Sequence, residues 1–527
     1  MRTRFLSFGW MLAALVAMQT WGQIIIPKPR PGAVLWTKTV TNIDYRSALY
    51  LTADERSVVT ATFSGPIFTP LSIDLLTQSF GTLGDSERLA GNLVTLSDGG
   101  VVRQPVLVND EREIARTGVG GWRIRLGGYS LSPEPSRFLA TKKNTVITSG
   151  RSGRLNGLPL EFLIEIDGSS GTVRTNKIGN LPPSKLWGPP FGFAPNGDAI
   201  FFAEDRVLDG VYRRNALYLA NPETLKLGSI ISWDLNWTQF RPENPQINIV
   251  VTTADGLIVI SAIKTPRGAS EAGDPAAAGL ILIDPDGVRP QRIIELPFGP
   301  MRVTGMAVGR DGFVYCSLSE RTLSTGPNFR GGVARVNPAT GEAALIGNVI
   351  NSVEAPPIIT KSGVLLVASM AISGSGSGTI HAIATSSVGG LALSPWPRST
   401  GDNFDSYREQ SLEDTDGDGL TDTEERLNYG TDPLKVDTDG DGYSDLVEVQ
   451  NGSNPKLASD LPEIMEVRAA VQIYFGTAQG RRYQLQYSTD LVQWTDFGAA
   501  FDGTGAKQSQ LVEADHANRF WKLRRLE

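Results

Sequence analysis

Apolar residues along this chain come in short runs rather than at helical spacing. Stretches such as Leu280-Ile281-Leu282-Ile283 and Phe313-Val314-Tyr315-Cys316 are bounded by Gly, Pro, Asn or Asp, the pattern of short strands with covered faces. Two turn signals punctuate them. One series ends a strand in an Asx-Gly or Asx-Pro step, at Asp167-Gly168, Asn221-Pro222, Asp284-Pro285 and Asn337-Pro338, with degenerate members at Leu71-Ser72-Ile73-Asp74 and Ile380-His381-Ala382-Ile383. A second, out-of-phase series places Asn196-Gly197, Asp255-Gly256, Asp311-Gly312 and Ser362-Gly363 between two apolar strands. Asn-Gly and Asp-Gly supply the positive φ that two-residue hairpins require, so each marks a strand reversal. The 310 residues from Asp74 to Ala384 divide into six intervals of about 52, and two hairpins per interval make a four-stranded unit. The pattern predicts an all-β, about seven-bladed β-propeller over residues 33–398, a closed ring that leaves no long sheet edge exposed. The copy between Asp85 and Pro133 fits poorly, and six or eight blades fit the period as well.

The pattern changes beyond the ring. Residues 399–412 read as a linker, and 413–457 carry acidic residues at fixed spacing. Alternation returns at Val467 to Phe475, Arg482 to Tyr487 and Arg519 to Leu523. This predicts a small β-sandwich over 461–527, with Tyr483, Leu485, Tyr487, Trp494, Phe520 and Trp521 as its core. At the other end, Arg2 and Arg4 precede the apolar run Phe5 to Ala17, and Thr20-Trp21-Gly22 offers small residues at the cleavage positions. Residues 1–22 are therefore expected to be a signal peptide, placing the mature chain in a secreted, extracellular or cell-surface location. That run is shorter than the roughly 20 residues that cross a bilayer, so no transmembrane segment is expected after cleavage.

Composition narrows the chemistry. A single cysteine, Cys316, excludes an internal disulfide and a cysteine-based zinc or iron–sulfur site, and two histidines, His381 and His516, exclude a histidine-rich metal centre. The net charge of −7 is uneven: residues 401–460 hold 17 acids and 4 bases, leaving 39 acids and 45 bases elsewhere. No domain-wide basic field is present, which argues against a nucleic-acid partner.

The acidic segment carries the clearest chemistry. Asp414-Thr415-Asp416-Gly417-Asp418-Gly419-Leu420-Thr421-Asp422-Thr423-Glu424-Glu425 recurs 23 residues later from Asp437 to Glu448. Calcium takes six to eight oxygens, which a 12-residue loop supplies from positions 1, 3, 5, 9 and 12 and the carbonyl at 7. The expected ligands are Asp414, Asp416, Asp418, Asp422, Glu425 and the Leu420 carbonyl, then Asp437, Asp439, Asp441, Asp445, Glu448 and the Tyr443 carbonyl. Gly419 and Gly442 at position 6 permit the sharp turn. Five carboxylates so close repel one another, so folding of each loop should be coupled to metal binding. The flanks lack an entering helix, whereas short helices should follow each loop and stop at Gly430 and Gly452.

Three resemblances follow from these residues. The strand followed by Asn337-Pro338-Ala339-Thr340-Gly341, with Ala355-Pro356-Pro357-Ile358 to Ser369, resembles the quinoprotein-like (PQQ-like) repeats of secreted bacterial β-propellers. Enzymes of that family bind pyrroloquinoline quinone and calcium in the channel and often carry a vicinal cysteine pair, which one cysteine cannot supply; the resemblance implies the fold and not the cofactor. The loops with Gly430-Thr431-Asp432-Pro433 and Asn451-Gly452-Ser453-Asn454-Pro455 resemble thrombospondin type 3 repeats, which implies calcium-filled rigid spacers of extracellular proteins. Tyr483 to Trp494 resembles a C-terminal module of large secreted bacterial proteins and, broadly, an immunoglobulin-like or fibronectin type III-like β-sandwich, which implies that fold for residues 461–527.

Two functions follow as expectations. One is a non-catalytic extracellular calcium-binding protein, its propeller a platform for a protein or glycan partner and its repeats a spacer. The other is a propeller enzyme acting on extracellular glycans, or a quinone-dependent dehydrogenase, with Glu204, Asp205 or Glu320 as candidate acids. His381 reads as a satisfied half-buried imidazole, and Cys316 as a small buried apolar group. A channel mouth filled by loops would argue against the enzyme.

Overall fold

The computed structural model describes residues 30–526, less 42–48, 53–54, 65–66, 82–92, 109–110, 118–120, 127–129, 132–137, 156–157, 178–184, 207–211, 233–236, 239–248, 265–276, 321–329, 371–376, 403–405, 463–469, 489–491 and 514–519. The expected signal peptide lies outside the described residues. The chain forms two compact units, Met1–Pro462 and Glu463–Glu527.

The first unit is a propeller-like succession of small antiparallel sheets. They span residues 50–81, 93–125, 130–177, 185–232, 237–295, 302–346 and 358–384, and each is a sequential meander of about four strands. The poorly patterned copy is a sheet as well, with Asp98-Gly99 as its first reversal. The last sheet takes its fourth strand from the N-terminus: Val34–Val40 pairs antiparallel with Gly378–Ala384. Both turn series do the work the sequence assigned them. Gly197, Gly256, Gly312 and Gly363 sit at φ of 83°, 87°, 79° and 83°. At the other reversals, the Asx side chain accepts from the backbone two and three residues on. Asp74 accepts from Leu76 (3.0 Å) and Thr77 (2.6 Å), Asp167 from Ser169 (3.1 Å) and Ser170 (2.7 Å), and Asn337 from Ala339 (2.9 Å) and Thr340 (3.3 Å).

Burial falls from the first to the fourth strand of a sheet. Val250–Thr252 and Arg302–Val308 are buried at every position, whereas Val173–Lys177 is mostly exposed and Ala343–Ile346 has no buried position. First strands therefore line the axis, and strands sandwiched between neighbouring sheets read as unbroken apolar runs because both faces are covered. The clusters that join successive sheets include Ile260 and Ile281 with Phe202 and Leu217, and Ile359 and Leu365 with Tyr315 and Val333. Val58 and Ile73 of the first sheet meet Leu366 and Ile380 of the last.

The segment expected to be a linker is instead buried at that axis. Trp396 and Arg398 are fully buried, and Ser399, Thr400, Asp402, Ser406, Tyr407, Arg408 and Glu409 nearly so. Between them, residues 392–409 reach every sheet. The Leu49 carbonyl beside the first sheet accepts from Arg398 (2.9 Å), Thr95 of the second donates to the Ser406 carbonyl (3.0 Å), and Ala140 of the third donates to the Tyr407 carbonyl (2.9 Å). Phe193 of the fourth meets the Trp396 ring edge-on at 5.6 Å, and Thr252 of the fifth donates to the Trp396 carbonyl (2.8 Å). Val308 of the sixth donates to the Pro397 carbonyl (2.7 Å), and the Pro356 and Pro357 carbonyls beside the last accept from Arg398 (3.1 and 2.8 Å). A Cβ at Gly192 would lie 2.8 Å from the Trp396 ring, which is why no larger residue stands there. A polar composition misled the sequence reading: these polar groups are buried because the first strands of a ring leave inward-facing N–H and C=O groups that need partners.

The second unit contains a two-stranded sheet, Ala470–Gly476 with Lys507–Glu513, and a three-stranded sheet in which Arg482–Ser488 lies between Thr495–Asp502 and Phe520–Leu526. Phe475 of one sheet meets Phe501 of the other at 5.5 Å, and Phe497 meets Trp521 edge-on at 5.1 Å. Tyr483 and Leu485 are buried, but Phe520 is 44 % exposed. Trp494 is half-buried, with the Lys522 ammonium 4.0 Å from its ring centre. Phe520 therefore corrects the expected core.

Candidate metal centre

In each loop, the carboxylates at positions 1, 3 and 5 converge. One oxygen from each of Asp414, Asp416 and Asp418 lies within 4.8 Å of the others, and Asp437, Asp439 and Asp441 repeat the arrangement. The backbone folds the loop around them. Asp414 accepts from the N–H groups of Gly417 (2.8 Å) and Gly419 (3.1 Å), and Asp437 from those of Gly440 (2.7 Å) and Gly442 (2.8 Å). Gly419 and Gly442 adopt φ of 102° and 101°, a conformation open to glycine and strained for other residues. The amide of Leu420 donates to Asp418 (2.7 Å) and that of Tyr443 to Asp441 (2.9 Å).

Position 9 braces the loop. Both oxygens of Asp422 accept from Thr415, from its N–H at 2.8 Å and its hydroxyl at 2.9 Å, and Asp445 accepts from Thr438 at 2.9 and 2.7 Å. A helical turn follows each loop. Thr421 and Glu424 form a capping box at the start of Asp422–Glu424, which continues as Glu425–Tyr429 and stops at Gly430, φ 70°. Ser444 caps Asp445–Asn451, which stops at Gly452, φ 81°. Among the described residues, no helix enters either loop.

The helices bring position 12 back over the loop. Glu425 and Glu448 are fully buried, and each keeps one oxygen, Oε2, without a hydrogen-bond partner. The same holds for Asp416 Oδ2, Asp439 Oδ2 and Asp441 Oδ2. A buried carboxylate oxygen with no donor is costly unless a cation faces it, so the residues present fit a divalent metal. Electrostatics agree. Burial, with repulsion from Asp416 and Asp418, pushes Glu425 up to about 8. Burial with repulsion from Asp439 and Asp441 pushes Glu448 up to about 7, and burial pushes Asp445 up to about 6. Asp418 Oδ2 also accepts from the Leu446 N–H at 2.9 Å, tying the first loop to the second helix.

The repeats do not stand off from the sheets as a spacer would. Lys361, in the first turn of the last sheet, donates to Glu424 Oε1 at 2.6 Å, with little exposure of either side chain. Glu55, in the first turn of the first sheet, accepts from the Tyr429 hydroxyl (2.9 Å) and from the Lys361 backbone (3.0 Å). Arg310 donates to the Gly419 carbonyl (3.3 Å), and Arg56 to the Gly452 carbonyl (3.0 Å). Sequence reasoning missed Glu55, Lys361, Glu424 and Tyr429. The Thr421-x-x-Glu424 spacing was a readable sign that Glu424 faces its own helix start, but its distant partner left no local trace.

Of the candidate acids of the enzyme reading, only Glu320 has a described side chain. Glu320 lies 4.0 Å from Arg330, and Glu204 and Asp205 lie in the strand Ala199–Arg206, their side chains outside the described residues. His381 Nε2 is 2.8 Å from Ser369 Oγ, and burial lowers its pKa. Cys316 is fully buried, which raises its thiol pKa.

Residues 414–436 and 437–458 match the family model of the bacterial TSP3 repeat. No curated protein matches the chain. Similar solved structures include oligogalacturonate lyase from Vibrio parahaemolyticus (11% identity, 68% of this chain and 100% of that one, TM-score 0.39) and the β-propeller domain of the Trilobed protease from Pyrococcus furiosus (10%, 62% and 91%, TM-score 0.35). A PL25 ulvan lyase matches at 9% identity over 68% of this chain and 96% of its own, TM-score 0.39. Among the described residues, no helix is long and apolar enough to cross a membrane.

Proposed function

We propose that this chain is an exported, non-catalytic calcium-binding protein. Its first unit is a seven-bladed propeller that serves as a binding platform for an extracellular protein or glycan. The observation that carries the reading is the pair of 12-residue loops whose converging carboxylates keep five buried oxygens without a donor. The ligands are Asp414, Asp416, Asp418, Asp422, Glu425 and the Leu420 carbonyl in one loop, and Asp437, Asp439, Asp441, Asp445, Glu448 and the Tyr443 carbonyl in the other. An all-oxygen set rich in carboxylates suits calcium above softer metals. Calcium supplies the positive charge that lets these acids be buried together. The match to repeats of a bacterial calcium-binding type supports an extracellular setting, and the leader pattern of residues 1–22 supports export. The packed axis supports a platform over an enzyme, because Trp396, Arg398 and Tyr407 occupy the level of the first strands where a channel substrate would sit. The two sheets of the second unit are read as a β-sandwich.

Calorimetric titration of the mature chain tests this. Two calcium ions should bind, with magnesium far weaker, and chelation should lower the melting temperature. No heat at millimolar calcium would overturn the reading.

A further inference from the structure

A ring built from one chain has a seam, where its first and last sheets meet. Here the seam is closed once by strand pairing, Val34–Val40 with Gly378–Ala384, and again by Arg398, whose guanidinium joins the Pro356 and Pro357 carbonyls to that of Leu49. A third closure involves the calcium repeats. Glu55 and Lys361 occupy matching positions, the first turn of the first sheet and the first turn of the last, and are bonded to each other through the Lys361 N–H. The helical turn that follows the first loop contacts both: Glu424 takes the Lys361 ammonium and Tyr429 donates to Glu55. Glu424 directly precedes the position-12 carboxylate, Glu425, and Tyr429 lies one helical turn beyond it. The second repeat reaches the same seam, since Arg56 donates to the Gly452 carbonyl and lies 3.5 Å from Asp460.

We infer that the first TSP3 repeat is a calcium-operated clasp across the seam of the propeller, so that ion occupancy in the loop sets how tightly the first and last sheets are held together. The inference rests on the calcium reading above. Its physics is geometric. The turn Asp422–Tyr429 presents Glu424 to Lys361 and Tyr429 to Glu55 only while it is helical and seated over its loop. Glu425 is fully buried with Oε2 unbonded, over a loop in which Asp416 Oδ2 is unbonded as well, so a cation held by these carboxylates ties the turn to the loop and chelation removes that tie. Lys361 and Glu424 are compatible with burial only as a pair, so the docked state is specified in register.

Hydrogen exchange of the full chain, read by mass spectrometry with calcium and with chelator, tests the clasp alongside calorimetry on the same samples. The turns at residues 52–57 and 360–364 should exchange at least tenfold more slowly with calcium. Glu424→Gln keeps the capping box, because glutamine serves it as well as glutamate, but removes the charge that Lys361 faces. That variant and Tyr429→Phe should still bind two calcium ions, yet lose most of the calcium-dependent protection at both turns. If two ions bind to the wild-type chain and exchange at these turns is unchanged, the clasp is wrong and the calcium reading stands. If Glu424→Gln and Tyr429→Phe keep full protection, the contacts named are not the clasp. If no calcium binds, both fall.

Discussion

The sheets and the repeats of the first unit are held together by opposite means. Each sheet is joined to the next by fully buried aliphatic and aromatic side chains such as Ile260, Ile281, Phe202 and Tyr315. That stabilisation, roughly 25 cal/mol per Å² of apolar surface removed from water, is insensitive to pH and to ions. The repeats bury Leu420 and Tyr429, but their most buried chemistry is charge: Glu425, Asp445 and Glu448 are fully or almost fully covered. The first region folds because it expels water from hydrocarbon; on the calcium reading proposed above, the second folds when a cation enters it. That reading gives one chain a part whose stability is fixed by sequence and a part whose stability is set by its surroundings.

The comparison is broken most severely at Arg398, a fully buried charge at the axis of the apolar ring. Arg398→Met would leave the carbonyls of Leu49, Pro356, Pro357 and Asp402 without donors at the axis. Each stranded group costs about 1 to 3 kcal/mol, so a loss of at least about 4 kcal/mol or failure to fold is expected in urea unfolding. A midpoint within error of wild type would show that the axial segment adds nothing to the ring.

A smaller effect, confined to the repeats, is expected of Glu448→Gln. The second loop would lose its charged position-12 ligand, and its calcium affinity should fall by at least the roughly 10- to 100-fold that loss of an outer-shell partner costs, read in calorimetry. The unfolding of the second unit should not move. An unchanged binding isotherm would remove Glu448 from the ligand set.

The mildest probe is pH. Glu425, Glu448 and Asp445 have folded-state pKa values raised to about 8, 7 and 6. Without metal, they hold their protons more tightly folded than unfolded. That contribution to stability is complete below the ordinary carboxylate range and is lost as pH rises through 6 to 8. Calcium selects the deprotonated form, so its affinity should climb over the same interval and binding should release protons. Titration in two buffers of different ionisation enthalpy reads this directly; identical apparent heats would contradict it.

These contrasts also explain what the sequence could show. The sheets were legible because their determinants are local: Asx turns such as that at Asp167, positive-φ glycines such as Gly256, and apolar runs such as Leu280 to Ile283. The loops were legible for the same reason, since position 1 and position 12 lie in one short stretch. The copy at 93–125 was dim because its strands carry many charges, as in Glu111-Arg112-Glu113-Ile114-Ala115-Arg116. The axial segment 392–409 was invisible. Many of its polar residues are satisfied by backbone groups tens to hundreds of residues away, as Ser399 by the Met306 carbonyl and Arg398 by those of Pro357 and Leu49, and no local pattern distinguishes a polar residue that will meet water from one that will meet a distant carbonyl. The dock on Glu55 and Lys361 was hidden in the same way, 374 residues separating Glu55 from Tyr429.

Those separations give the ring a timetable. Leu49 waits for Arg398 across 349 residues, and Arg56 for Gly452 across 396. Closing contacts of such span is slow, because the entropy of long loops is spent before any bond repays it. A chain ending between residues 385 and 391 would contain the sequence of every sheet of the ring and lack the axial segment that reaches them all. Truncation there should therefore act late, leaving the sheets held only by their apolar faces and the Val34–Val40 pairing, whereas a cut beyond Pro462 would leave the ring's assembly untouched.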